Sequence, residues 1–109
     1  MQPALVLEED VPTGPTDAFL VGREFAHFHL GPDFSMHIAL PEALAAAAVA
    51  AGWGEPHYLV AAGQLPPTIV MIFAPRDDTE LDVVWQLIES SYRFATGARN
   101  VVDVTPTSP

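Results

Sequence analysis

Hydrophobic and polar positions alternate most clearly between residues 23 and 40. In the run 23–30, Phe25, His27 and His29 fall on one side of an extended chain, and Glu24, Ala26, Phe28 and Leu30 on the other. Gly31-Pro32-Asp33 is a strong turn signal. The chain then returns over residues 34–40, with Met36, Ile38 and Leu40 on one side and Ser35, His37 and Ala39 on the other. Two alternating runs across a short turn predict a β-hairpin.

The rest of the chain reads in the same way. Residues 68–74 form a continuous apolar run bounded by prolines, the pattern of a central strand buried on both faces. Residues 57–62 predict a further strand after the turn Gly52-Trp53-Gly54-Glu55-Pro56. An alanine-rich helix starts with Pro41 at its first position, where a missing N–H costs nothing, and stops at Gly52. A second helix spans residues 78–96, with Asp77 as N-cap, Glu80 at capping-box spacing and Gly97 at its end. Leu81, Val84, Leu87, Ile88, Ser91 and Phe94 recur at helical spacing and are expected to face the sheet. Trp53 is expected as a core plug, Tyr92 as a core residue with its hydroxyl at an edge, and Trp85 in the core or an interface.

The order β-β-α-β-β-α predicts an α+β, two-layer domain: an antiparallel sheet with helices on one face. Residues 1–17 read as an N-terminal arm and loop, with a short strand or arm up to Leu7. Residues 18–97 form the domain. Residues 98–109, ending in Thr-Pro-Thr-Ser-Pro, read as a flexible tail.

Composition narrows the function. A chain of 109 residues that is half hydrophobic fits one folded domain rather than a disordered segment. Fourteen acidic residues stand against four arginines, with no lysine, for a net charge of −10. Phosphate backbones and anionic lipid surfaces are held mainly by Lys and Arg, so neither nucleic acid nor membrane is an expected partner. The absence of cysteine removes disulfides, thiolate catalysis and thiolate metal sites. The first twelve residues lack a signal-peptide pattern, and the apolar stretch 43–51 falls well short of the roughly 20 residues a membrane span needs. A cytoplasmic location is the expectation by elimination.

The candidate chemistry lies on the hairpin. Two registers keep Met36 and Ile38 on the face of Phe28. One pairs His27 with His37 and His29 with Ser35; the other pairs His29 with His37. Both gather His27, His29 and His37 into one patch on the open face, beside Arg23 and Phe25, with Glu24 facing away unless the strand is bulged. Three readings remain open. His-x-His plus a third histidine suits a divalent transition metal with open positions. The same groups, needing no cofactor, suit proton transfer or oxyanion stabilisation on a small organic ligand. They also suit a half-exposed polar face or a homodimer interface. The candidate catalytic residues are His27, His29 and His37, and these three are also the candidate metal ligands. Arg23, Phe25, Ser35, His57, Arg76 and Tyr92 are the candidate ligand-binding residues. No phosphate loop, nucleophile elbow, zinc-protease helix or calcium loop is present.

One resemblance bears on these readings. Glu24-Phe25-Ala26-His27-Phe28-His29 and Ser35-Met36-His37 are followed by Leu40-Pro41, Gly52-Trp53-Gly54-Glu55-Pro56-His57 and Ala74-Pro75-Arg76-Asp77. Glu80-Leu81 and Ser91-Tyr92-Arg93-Phe94 close the series. In this order, over most of the chain, the motifs resemble the luciferase-domain family. That family comprises small bacterial proteins together with the fungal luciferases, which oxidise a hydroxylated pyrone with molecular oxygen. The resemblance implies a small aromatic or enol-like ligand and oxygen chemistry, without assigning a role to any residue.

Overall fold

The computed structural model describes residues 3–98. Five strands, β1 (Ala4–Val6), β2 (Glu24–Phe28), β3 (Met36–Ala39), β4 (Gly54–Pro56) and β5 (Ile69–Ile72), form one antiparallel sheet in the order β1-β2-β3-β5-β4. Helix α1 (Glu42–Ala50) follows β3, the single turn α2 (Tyr58–Ala61) follows β4, and α3 (Asp78–Thr96) follows β5. The fold is α+β, as the periodicity predicts. Helix α3 packs on β2 and β3, and α1 on β4 and β5. Among the described residues, no helix is long and apolar enough to cross a membrane. Apart from Ala98, the expected C-terminal tail lies outside the described residues.

The hairpin adopts the first of the two registers. Ala26, His27 and Phe28 stand opposite Ile38, His37 and Met36. The His29 N–H donates to the Ser35 carbonyl, extending the same pairing by one step. Ile38 in turn faces Val70, and Met36 faces Ile72, so one apolar face runs across β2, β3 and β5. Ala26, Met36, Ile38, Val70 and Ile72 are buried in one cluster with Ala45 and Ala48 of α1 and Val84 and Leu87 of α3. The short side chains of α1 let its backbone approach the sheet closely. Pro41 sits one place earlier than the sequence suggests, at the N-cap, with its carbonyl accepting from Ala45 N–H.

Helix α3 buries Glu80, Val84, Leu87, Ser90, Ser91 and Ala95. The buried stripe is thus rotated slightly from the expected one, and Leu81 is half-exposed. The small Ser90, Ser91 and Ala95 allow close approach, and the Ser91 hydroxyl donates to the Ala39 carbonyl at 2.5 Å. The N-terminus of α3 is capped as expected: the Asp77 carboxylate accepts from Glu80 N–H at 2.8 Å. Glu80 turns back one residue further than in a standard capping box, accepting from the Arg76 N–H and its guanidinium. Gly97 closes the helix in the left-handed region. Trp53 is buried, as expected, whereas Trp85 is exposed on α3.

Two expectations need correction. The strand predicted over 57–62 is instead the end of β4 at Pro56 followed by α2. His57 ends the extended run because its imidazole Nδ1 accepts from Leu59 N–H, capping a helical turn. The run Tyr58-Leu59-Val60-Ala61 has no period-2 alternation to hold it in the sheet. The second correction concerns β2. Leu5 of β1 faces Ala26, but Val6 faces Glu24, so Phe25 has no partner of its own and β2 is bulged there. Downstream of the bulge the expected alternation holds; upstream of it the faces exchange.

Gly54 is fixed by a close approach, since a Cβ there would collide with the Met71 carbonyl oxygen in β5. Gly54→Ala is expected to destabilise the domain by roughly 1–3 kcal/mol, the usual cost of overpacking. Urea denaturation would show this as a lower midpoint at an unchanged slope.

Candidate functional site

The open face of the sheet holds all four histidines of the chain. His27 and His37 are directly opposed on β2 and β3, with His27 Nε2 3.0 Å from His37 Nδ1. His29 lies beside them, its ring centroid 4.5 Å from that of His37. His57, delivered from the other edge by the β4–α2 corner, sits with its ring 4.4 Å from His37. His37 is therefore the centre of the cluster, in edge-on contact with three other imidazoles.

Carboxylates back two of the rings. The bulge at Phe25 swings Glu24 onto the open face, where its carboxylate lies 3.5 Å from His27 Nδ1. Asp33, in the hairpin turn, accepts from both the N–H and the hydroxyl of Ser35, each at 3.1 Å. Ser35 Oγ is also 2.9 Å from His29 Nδ1. A hydroxyl has one proton to give. With that proton on Asp33, His29 must donate Nδ1–H to Ser35 and keep its lone pair on Nε2. His57 is the reverse case: Nδ1 accepts from Leu59 N–H, so its proton sits on Nε2.

The electrostatics follow from this crowding. Burial, then repulsion from His57, His27 and His29, pushes the His37 imidazole down to about 4. Burial, then repulsion from His27 and His29, lowers His57 as well. Asp33 is held below the usual carboxylate range, chiefly by the Ser35 backbone N–H and further by the Ser35 hydroxyl and His29. His37 is thus neutral at physiological pH. A pocket of about 160 Å³ opens beside the rings, lined by Glu24, His27, His37 and His57, with Leu20, Val21, Leu65 and Ile69 as apolar walls. Larger hollows of about 310 and 370 Å³ lie elsewhere, one around Trp53 and Arg76 and one between α1 and Pro56. Neither contains a histidine, so the smaller pocket is the one that joins imidazoles to a carboxylate, Glu24.

The structure brings together His27, His29, Ser35, His37 and His57, but not the other candidates. Phe25 is turned by the bulge into the core, its ring edge-on to Tyr92 of α3. Tyr92 is half-exposed on that side of the sheet rather than in the core. Arg23 is spent on the N-terminal segment, donating to the carbonyls of Leu7, Glu8 and Val11. Arg76 stands at the start of α3, largely exposed, and pairs with Glu80. Strict alternation misplaces Glu24 as well as Phe25. The spacing of three between Glu24 and His27 fits a shared face only across a bulge. Asp33 is legible in the sequence as a turn former, but not as a partner of His29.

Comparison with known proteins supplies the family. Residues 22–91 match the family model for the luciferase domain. The chain belongs to the luciferase-domain family. It is 43% identical over 76 residues to a luciferase of Armillaria ostoyae, covering 68% of this chain and 29% of that protein. It is 36% identical over 76 residues to a luciferase of Neonothopanus nambi, covering 68% and 28%. This luciferase domain therefore spans less than a third of the length of the curated relatives it matches. No solved structure gives a significant match.

Neutral His37 makes the domain's stability depend on pH. Unfolded, a histidine takes up its proton near pH 6.5; folded, His37 resists until about pH 4. Between those values the unfolded state binds more protons, so stability rises with pH across this window. Thermal melts are expected to give a constant Tm from pH 7 to 8 and a falling Tm from pH 6.5 towards 4. His37→Phe is expected to flatten that fall; an equally steep fall would show that other groups cause it.

Proposed function

We propose that this luciferase domain binds a small aromatic or enol-like molecule against its histidine face and prepares it for oxidation by molecular oxygen. The observation that carries the reading is the convergence of three imidazoles, His27, His37 and His57, on one pocket, with His29 against the central, neutral His37 and apolar walls beside it. A pocket of about 160 Å³ matches a single ring better than a large polycyclic ligand. Exposed Tyr58, stacked on His57, offers a surface for any substituent that projects outward. Membership of a family that includes the fungal luciferases supports the chemistry.

The proton path follows from the hydrogen bonds. Nδ1 of His37 faces His27, which leaves Nε2 for a ligand hydroxyl. A proton accepted at His37 Nε2 displaces the one at Nδ1 onto His27, where the Glu24 carboxylate offsets the new charge. The ligand is left as its enolate, a better electron donor than the enol, and dioxygen is the electron acceptor. The Leu20, Val21, Leu65 and Ile69 walls limit water around that anion.

Anaerobic titration with a hydroxylated pyrone, followed by fluorescence, is expected to saturate at one ligand per chain. Admitting oxygen should then consume both ligand and O2. His37→Phe should weaken binding by roughly 10-fold or more, the loss of a hydrogen bond to a buried polar partner. Absence of saturable binding at millimolar ligand, or equal binding by His37→Phe, would refute the reading.

A second reading is favoured by exposed apolar side chains beside the histidines. Val21, on the pocket wall, and Tyr58, stacked on His57, are both exposed, and a second copy of the chain could cover them. Light scattering decides this: a mass near twice 11.7 kDa supports a dimer, and a mass of 11.7 kDa across the micromolar range rules it out.

A further inference from the structure

We propose that His27, His29 and His37 form a binding site for one divalent first-row transition metal ion, with Glu24 and Asp33 as the outer carboxylates that orient its ligands. The proposal uses the same patch as the reading above but does not depend on an organic ligand.

The first argument is distance. One ring nitrogen from each of the three histidines lies within 4.8 Å of the others. His27 Nε2 and His37 Nδ1 are already 3.0 Å apart. Metal–nitrogen bonds of about 2.1 Å place neighbouring ligand nitrogens about 3.0 Å apart in an octahedron and about 3.4 Å apart in a tetrahedron. The closest pair is therefore at coordination spacing, and the third nitrogen, within 4.8 Å, needs a shift of roughly 1–2 Å to complete the set. Moving the His37 proton to Nε2 frees the lone pairs on the two facing nitrogens without changing net charge.

The second argument is orientation. A metal-bound histidine commonly gives its other ring N–H to a carboxylate, directly or through one more group. Both patterns are present here. Glu24 addresses Nδ1 of His27, and Asp33 reaches Nδ1 of His29 through the Ser35 hydroxyl. In each ring this leaves Nε2 as the free ligand atom. The buried Ser35, held by two hydrogen bonds to Asp33, fixes the His29 ring more firmly than a solvated partner would. A purely polar surface patch has no need of two such outer partners.

The third argument concerns the remaining position. His57 is next to His37, but its Nδ1 is committed to the Leu59 N–H and its Nε2 carries a proton. As it stands it is a hydrogen-bond donor and not a ligand. Three protein nitrogens then leave at least one coordination position free, next to the pocket walled by Leu20, Val21, Leu65 and Ile69. Three imidazoles select iron, cobalt, nickel, copper or zinc over magnesium and calcium, which favour oxygen ligands.

The test uses the full chain without a histidine tag, stripped with a chelator. Calorimetric titration with Zn2+ is expected to give one site per chain with a micromolar or tighter dissociation constant. Co2+ should give visible absorption bands that report nitrogen coordination. A thousand-fold excess of Mg2+ should not displace either ion. His29→Gln, which keeps a hydrogen bond to Ser35 available, should weaken Zn2+ binding by at least about 10-fold. Glu24→Gln, which changes only an outer partner, should weaken it by roughly 10-fold. Circular dichroism melts confirm that the variants fold, and if one does not, the Co2+ spectrum of the other still decides. Displacement by Mg2+, wild-type affinity in both folded variants, or no binding below millimolar Zn2+ would overturn the proposal. Titration of the metal-free protein with the pyrone separately tests the organic ligand reading, so the two can fail independently.

Discussion

The arrangement of the open face depends on one unpaired residue. Because Phe25 has no partner in β1, β2 changes face at that point. The same short strand can therefore send a phenyl ring into the core and, one residue before it, a carboxylate to the opposite side. Without the extra residue Glu24 would be directed at the helices, where an unpaired charge is costly. Phe25 would then stand among the histidines. The bulge converts a strand that is simply half polar into one that supplies both a core anchor and the charged partner of His27. Arg23 holds the strand's entry by tying three carbonyls of the N-terminal segment, so the bulge is framed by hydrogen bonds from both chain directions.

Four imidazoles share this face, with His37 in contact with the other three. Burial, then repulsion from its neighbours, keeps the central His37 neutral, and His57 is lowered in the same way. Neutral rings have directional lone pairs, and the surrounding hydrogen bonds fix where those lone pairs point. Ser35 and Asp33 settle the tautomer of His29, the helix turn settles that of His57, and Glu24 biases that of His27. The fold acts here less by bringing residues close than by choosing which nitrogen of each ring is available. The same preparation suits a ligand hydroxyl and a metal ion, because both seek an imidazole lone pair.

Much of this was legible from the alternating pattern. The period-2 runs on either side of Gly31-Pro32-Asp33 identify the hairpin, and the His27, His29 and His37 patch survives because the pairing of His27 with His37 is one of only two registers that keep Ile38 and Met36 inside. Helix α3 is announced by its caps, Asp77 and Gly97. The misreadings have local causes. Residues 57–62 are apolar enough for a strand, but a side-chain cap on Leu59 outweighs weak strand preference. Phe25 and Glu24 are misplaced because a bulge is a property of two strands, and β1 is only three residues long. Arg23 and Arg76 look like free cations in a sequence so poor in them, yet each is taken up by nearby carbonyls or a carboxylate. The hydrogen bonds of Arg23 reach 12 to 16 residues back along the chain and leave no periodic trace.

The cap on α2 has one more consequence. The Nδ1 atom of His57 cannot accept from Leu59 and bind a proton at once. Any event in the pocket that forces a proton onto that nitrogen sets two N–H groups against each other at the first turn of a four-residue helix. So short a helix has almost no cooperative reserve of its own. The corner that carries Tyr58, stacked on His57, would then loosen. One imidazole thus serves both as pocket lining and as the fastening of a helical corner, through a single backbone amide.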